Sequence, residues 1–176
     1  SPTHGAGGVL LNGSTQFAQM GIIPGTHLTI NDVTIWARIV TASTTIVVLM
    51  GANQSTSQRL QIIPRSGDTF LFDCYGTADG RISAANTSTT ARYLATRRAS
   101  NDFESYKDGV SQVSATGSNG SQPSIEMYLG AQNNSGSAAN HVTGTITDAG
   151  VFSGLTDAEV TILDGLLTTY NTTLGR

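Results

Sequence analysis

Val33-Thr34-Ile35-Trp36-Ala37-Arg38-Ile39-Val40 alternates its side chains with a period of two, and its β-branched residues suit a pleated, half-buried surface. Val33, Ile35, Ala37 and Ile39 fall on one face; Thr34, Trp36, Arg38 and Val40 fall on the other. This predicts a strand over 28–40 with an apolar inner face. Working outward, runs of the same kind recur between turn signals. Upstream, Val9-Leu10-Leu11 precedes Asn12-Gly13-Ser14, a hairpin cue, with 17–20 as the return strand. Downstream, 46–50 is apolar throughout, as in a strand covered on both sides. Further strands are predicted at 59–64, 69–75, 81–83, 91–95, 103–107, 125–129 and 142–152. In 69–75, Phe70, Phe72 and Cys74 share one face.

The connections support the same reading. Lys107-Asp108-Gly109-Val110 is a tight turn in which Asp-Gly supplies the positive φ that a hairpin needs. Residues 115–124 and 132–140 are turn-rich, poor in apolar side chains, and predict exposed loops. One helix breaks the pattern at about 156–172. Thr156-Asp157-Ala158-Glu159 is a capping box, and Val160, Leu163, Leu167, Tyr170 and Leu174 recur at three or four to form an apolar stripe. That stripe is expected to pack on the sheets. Many short strands with one terminal helix predict an all-β, two-sheet antiparallel sandwich, and 176 residues without a boundary predict a single domain over 1–176.

Composition narrows the function. Only 12% of residues are charged and the net charge is −3, so a clustered basic surface for nucleic acid is not expected. No apolar run reaches the length that spans a bilayer, so membrane insertion is not expected either. A chain with a single cysteine, Cys74, has no disulfide framework, and Cys74 is expected to be a buried, small apolar residue.

Several stretches resemble laminin G-like domains of the concanavalin A-like jelly-roll class. Val9-Leu10-Leu11-Asn12-Gly13-Ser14-Thr15-Gln16-Phe17 resembles their first hairpin, and 33–39 resembles a hallmark strand, with Arg38 where the family carries Trp and Trp36 two places earlier. Phe103-Glu104-Ser105-Tyr106-Lys107-Asp108-Gly109-Val110, Tyr128-Leu129-Gly130-Ala131, and Gly144-Thr145-Ile146-Thr147-Asp148-Ala149-Gly150-Val151-Phe152 with Leu155-Thr156-Asp157-Ala158-Glu159-Val160 follow in the family's order. The resemblance implies a jelly roll with one C-terminal helix. The neutral Asn/Ser/Thr/Gly composition and the loop 130–136 also resemble domains on bacteriophage tail and virion proteins. That implies a virion-surface or extracellular location, and either attachment to a cell-surface glycan or a structural role as a homo-oligomer or among lattice neighbours.

Sugar binding requires an aromatic face for C–H surfaces and amides or hydroxyls for OH groups. Trp36 with Arg38 on the same strand face, Tyr75, Tyr106, and the edge residues Asn133, Asn134, Asn140 and His141 are the candidates. Catalysis is not expected. Three glutamates, Glu104, Glu126 and Glu159, lie far apart with no paired-carboxylate motif, and His4, His27 and His141 have no zinc-ligand spacing. No cofactor is expected; calcium would have to draw on Asp73, Asp79 and Asp148, which do not form a dense ligand run.

Overall fold

The computed structural model describes residues 2–5, 7–42, 47–76, 80–88, 90–117 and 120–176, with 41 and 42 described by their backbone. In chain order the elements are β1 (Thr3–Gly5), β2 (Gly8–Asn12), β3 (Ala18–Gln19), α1 (Pro24–His27), β4 (Val33–Ala42), β5 (Met50–Ser55), β6 (Gln58–Ser66), β7 (Thr69–Cys74) and β8 (Arg81–Ala85). There follow β9 (Ala91–Ala99), β10 (Asp102–Lys107), β11 (Val110–Ala115), β12 (Tyr128–Leu129), β13 (Gln132–Asn134), β14 (Ser137–Ala139), β15 (Thr143–Phe152) and α2 (Asp157–Thr173).

Two sheets face each other. The first runs β1-β2-β15-β4-β9-β10-β11, and the second runs β14-β13-β5-β6-β7-β8 with β12 and β3 attached beside β5. Pairing is antiparallel except for β13 against β5, which is parallel. The architecture is a jelly-roll sandwich with one long C-terminal helix, as the alternation in 33–40 requires. Val33, Ile35, Ala37 and Ile39 point into the inter-sheet core against Leu60, Ile62, Phe70, Phe72 and Cys74. Burial pushes the Cys74 thiol up to about 12, against the opposing charge of Arg97, so it sits in the core as an inert apolar group.

The outer face of the first sheet holds the helix. Trp36 of β4, Leu94 of β9 and Tyr106 of β10 form a second apolar cluster with Val160, backed by Leu155, Leu163 and Leu167. Thr156 and Glu159 form the expected capping box. Asp157 fixes the entry to the helix, accepting from the Tyr106 hydroxyl at 2.8 Å and from Arg98. The last turns differ from the sequence expectation: Tyr170 and Leu174 are exposed, and the inward position is taken by Asn171, whose Nδ2 donates to Asp148 Oδ2 at 2.8 Å.

Three connections also differ. The Asn12-Gly13-Ser14 turn does not close a hairpin, because β2 pairs β1 and β15 in the first sheet while β3 pairs β12 in the second. The Asn12 carboxamide oxygen accepts from the N–H groups of Ser14, Thr15 and Gln16, so the turn carries the chain from one sheet to the other. Residues 132–140 form not an irregular loop but the β13–β14 ribbon at the edge of the second sheet, exposed as expected over 134–137 and at 140, with Gln132 and Asn133 buried. In 46–50, Val47, Val48 and Leu49 are buried but precede the strand, which starts at Met50, and Ile46 lies outside the described residues. The turn at Asp108-Gly109 is a hairpin as expected, with φ of 48° and 74° joining β10 to β11.

Candidate functional site

The outer face of the second sheet carries a line of polar side chains set by strand register. Gln132 of β13 lies opposite Gly51 of β5, Gly51 opposite Gln61 of β6, Gln61 opposite Asp73 of β7, and Asp73 opposite Arg81 of β8. Parity puts them outside, since the neighbouring Leu60, Phe72, Cys74 and Ile82 point into the core. The side chains join across the strands. Gln132 Nε2 donates to Gln61 Oε1, Gln61 Nε2 donates to Asp73 Oδ2 at 2.5 Å, and Arg81 holds Asp73 with Nε at 2.5 Å and Nη2 at 2.8 Å. Gly51 makes the bridge possible: a Cβ there would lie 2.4 Å from the Cβ of Gln61, which has to lean across the strand to meet Gln132.

A second line flanks the first. Arg59 Nη1 lies 3.7 Å from Asp73 Oδ2, and its Nε donates to Asn53 Oδ1 at 2.8 Å. Asn53 Nδ2 donates to Asn134 Oδ1 at 2.9 Å, and Asn140 Nδ2 donates to Gln132 Oε1 at 3.2 Å. Asp73 is fully buried, whereas the Arg59 and Arg81 side chains keep 17% and 30% of their surface. Two guanidinium groups against one carboxylate leave a net positive face on a chain of net charge −3. The Asp73 contacts hold the Arg81 guanidinium above its ordinary pKa, so that charge is fixed. The result is a set of amide and guanidinium groups held in place before any ligand arrives.

The residues singled out in the sequence fall in different places. Trp36 and Arg38 share a face as parity requires, but it is the face under α2. Trp36 is 5% exposed, and stacks on Phe152 with centroids 6.4 Å apart. It therefore offers no platform: the helix needs an apolar seat, and Trp36, Leu94 and Tyr106 supply it. Gly150 accommodates the ring, since a Cβ there would lie 2.5 Å from Trp36 Nε1. Arg38 is half-buried in the same layer, opposite Arg92, with Nη1 unpartnered. Tyr75 and Tyr106 are likewise core residues; burial pushes both phenols above their ordinary range, with the Asp157 contact adding to it at Tyr106. Asn133 is buried, donating to the Glu126 carbonyl and accepting from Gly136 N–H, each at 2.8 Å. Asn134 and Asn140 alone belong to the polar face. His141 is half-buried, 6.0 Å from the Phe17 ring, which stacks on Tyr128 at 4.5 Å.

Of the possible calcium ligands, Asp73 is committed to arginines, Asp148 is held by Arg92, Asn171 and Thr147, and Asp79 lies outside the described residues. Glu104 is bound by Arg98 and Ser111, and Glu126 accepts from Gly21 N–H. Further concavities flank the sandwich. One, of about 290 Å³, is apolar and opens between the sheets at Leu11, Phe17, Leu129 and Ile146. Another, of about 330 Å³, is polar and lies by Arg38, Thr90 and Asp108. A third, of about 260 Å³, lies by the half-exposed Phe152, His27 and Asp32.

Sequence reasoning missed Asn53, Arg59, Gln61, Arg81 and Gln132. The signal was present in part: Phe70, Phe72 and Cys74 facing inward leave Asp73 outward, and Arg59-Leu60-Gln61-Ile62 alternates in the same sense.

No protein-family model matches the chain, and no curated protein matches it in sequence. Solved structures share its fold. The CBM40 of a Ruminococcus gnavus IT-sialidase, bound to α2,3-sialyllactose, superposes with a TM-score of 0.59 at 13% identity, over 76% of this chain and 83% of that one. Domain 4 of AbnA, a GH43 extracellular arabinanase from Geobacillus stearothermophilus in complex with arabinotriose, gives 0.56 at 16% identity over 93% and 80%. A heptameric SAP-like pentraxin from Limulus polyphemus gives 0.55 at 14% identity over 76% and 70%. Against a full sialidase such as NanB of Streptococcus pneumoniae, the chain spans only 27% of that length. At such identities the likeness establishes the fold: a concanavalin A-like jelly-roll β-sandwich.

Proposed function

We propose that this chain is a non-catalytic carbohydrate-binding module whose ligand lies across the outer face of the second sheet, over Asn53, Arg59, Arg81 and Asn134. The observation that carries the reading is the line Gln132–Gln61–Asp73–Arg81 with its Arg59–Asn53–Asn134 flank: Gln132, Gln61 and Asp73 are buried and fix by register and hydrogen bonds the partly exposed Arg59, Arg81 and Asn53 and the exposed Asn134 beside them. Sugar hydroxyls are bound by such groups in fixed pairs, and two arginines against one aspartate favour a glycan bearing a carboxylate. Two structural neighbours bound to saccharides, α2,3-sialyllactose and arabinotriose, support the ligand class.

The non-catalytic part is supported by the separate commitments of Glu104, Glu126 and Asp73, each tied to its own donors. A retaining glycosidase needs two carboxyl groups free to act about 5–5.5 Å apart. The module works outside the cell or on a virion surface, where several copies raise the avidity of individually weak contacts. A glycan array probed with the intact chain, with and without chelator, tests the reading. Acidic glycans are expected to bind in both conditions, and Asn134→Ala and Arg59→Ala to lose at least tenfold in affinity with their circular dichroism unchanged. Uniform silence from the folded chain would overturn it.

A further inference from the structure

The outward side of α2 is the largest unexplained apolar feature of the described surface. Ile162, Leu166, Tyr170 and Leu174 are 62%, 65%, 55% and 41% exposed, spaced four apart along one side of the helix. Gly165, Thr169 and Thr173, also exposed, fill the positions between them, giving 162, 165, 166, 169, 170 and 173 as one continuous strip. None of these residues is needed to hold α2 down, since Val160, Leu163, Leu167 and Asn171 do that from the opposite side.

Charge says what kind of surface covers the strip. The helix contains no basic residue, and its three carboxylates are all engaged elsewhere. Asp157 is held by Arg98 and Tyr106, Glu159 closes the capping box, and Asp164 is bound by Arg92. From Thr161 to Thr173 the solvent side therefore carries no formal charge. An acidic or basic partner has nothing to pair with, whereas a second uncharged helix face fits without stranding an ion. Gly165, Thr169 and Thr173 make a shallow groove between larger side chains, so a copy of the same helix can lay its Leu166 and Tyr170 into it.

Area sets the strength. The four large side chains expose on the order of 400 Å², within the range of the largest apolar patch on an ordinary monomer, a patch that is often functional. Pairing the two strips by a two-fold axis buries on the order of 800 Å² from these side chains, with Gly165, Thr169 and Thr173 adding to it, which is the size of a weak, transient dimer. We infer that α2 is a self-association surface through which two copies of this chain pair helix to helix, giving a concentration-dependent dimer. Because α2 covers the first sheet, the outer faces of the two second sheets stay open on opposite sides of such a pair.

Sedimentation velocity of the intact chain over a dilution series tests this, with Leu166→Glu beside it. Leu166 is 65% exposed and, among the described residues, belongs to neither apolar cluster, so the variant is expected to keep its circular dichroism and melting temperature while dimerisation weakens at least a hundredfold. A single Leu166→Cys, at the middle of the helix, is expected to cross-link to its copy on mild oxidation, since Cys74 is buried. A chain that stays monomeric up to millimolar concentration would overturn the inference. So would a dimer indifferent to Leu166→Glu, or a monomer that instead binds neutral lipid vesicles through the same strip.

Discussion

Asp73 shows how one residue organises a surface. Its side chain has no exposure, yet it sits on the outer side of its strand, because Arg81, Arg59 and Gln61 close over it. Removing its charge strands two guanidinium groups in a half-buried setting. Asp73→Asn is expected to lower stability by about 2–3 kcal/mol, somewhat less than a fully buried ion pair because Arg81 retains partial exposure. Urea unfolding measures it, and a loss under 0.5 kcal/mol would mean that the line is an incidental surface network. At this scale the sequence was legible only by parity. Phe72 and Cys74 inward place Asp73 outward, but nothing local says that Gln61 and Arg81 stand beside it. That depends on register, which pairs β6, β7 and β8 over long range. The same limit explains Trp36: its face was readable, but whether solvent or a helix covered that face depends on how α2 docks.

The elements divide by how local their determinants are. The helix α2 and the Asp108-Gly109 turn are specified within a few residues, by a capping box and by backbone φ, and both form where the sequence puts them. The Asn12-Gly13 turn carries the same kind of local signal, yet joins two sheets, because Asn12 satisfies the turn through its side chain and frees β2 to pair β15. Docking of α2 has a pH dependence whose sign follows from its first turn. Asp157 is held below the usual carboxylate range, first by the Tyr106 hydroxyl and then by Arg98, and Glu159 is lowered by the Thr156 cap. A folded-state pKa below the unfolded one stabilises above the unfolded value, near 4, and that stabilisation is lost as pH falls through the lowered folded value. Asp157→Asn is therefore expected to melt below the parent chain at neutral pH and to converge with it only in acid, as pH falls through the lowered folded value. Trp36 fluorescence reports whether α2 has lifted. A gap between the two chains that persists unchanged into acid would show that Asp157 does not anchor the helix electrostatically.

For the molecule as a whole, the two outer faces of the sandwich differ. The first sheet spends its outer face on α2, burying Trp36, Tyr106 and Leu94, while the second keeps a polar outer face on which Gln61, Asp73 and Gln132 are buried and Arg59 and Arg81 stay partly exposed. The class of this fold was readable from alternation and turn spacing along the chain. The side of the sandwich suited to a ligand was not, because a helix and a polar line claim their faces only after the sheets have assembled. On the proposed reading, the ligand face is the one opposite the helix. The most direct measurement is a two-dimensional NMR titration of the chain with an acidic oligosaccharide such as α2,3-sialyllactose, following side-chain amide and guanidinium signals. Saturable shifts are expected at Asn53, Arg59, Gln61, Arg81, Gln132 and Asn134, with the Trp36 indole unmoved. Shifts gathered instead around Phe152 and His27, or around the helix, would contradict it.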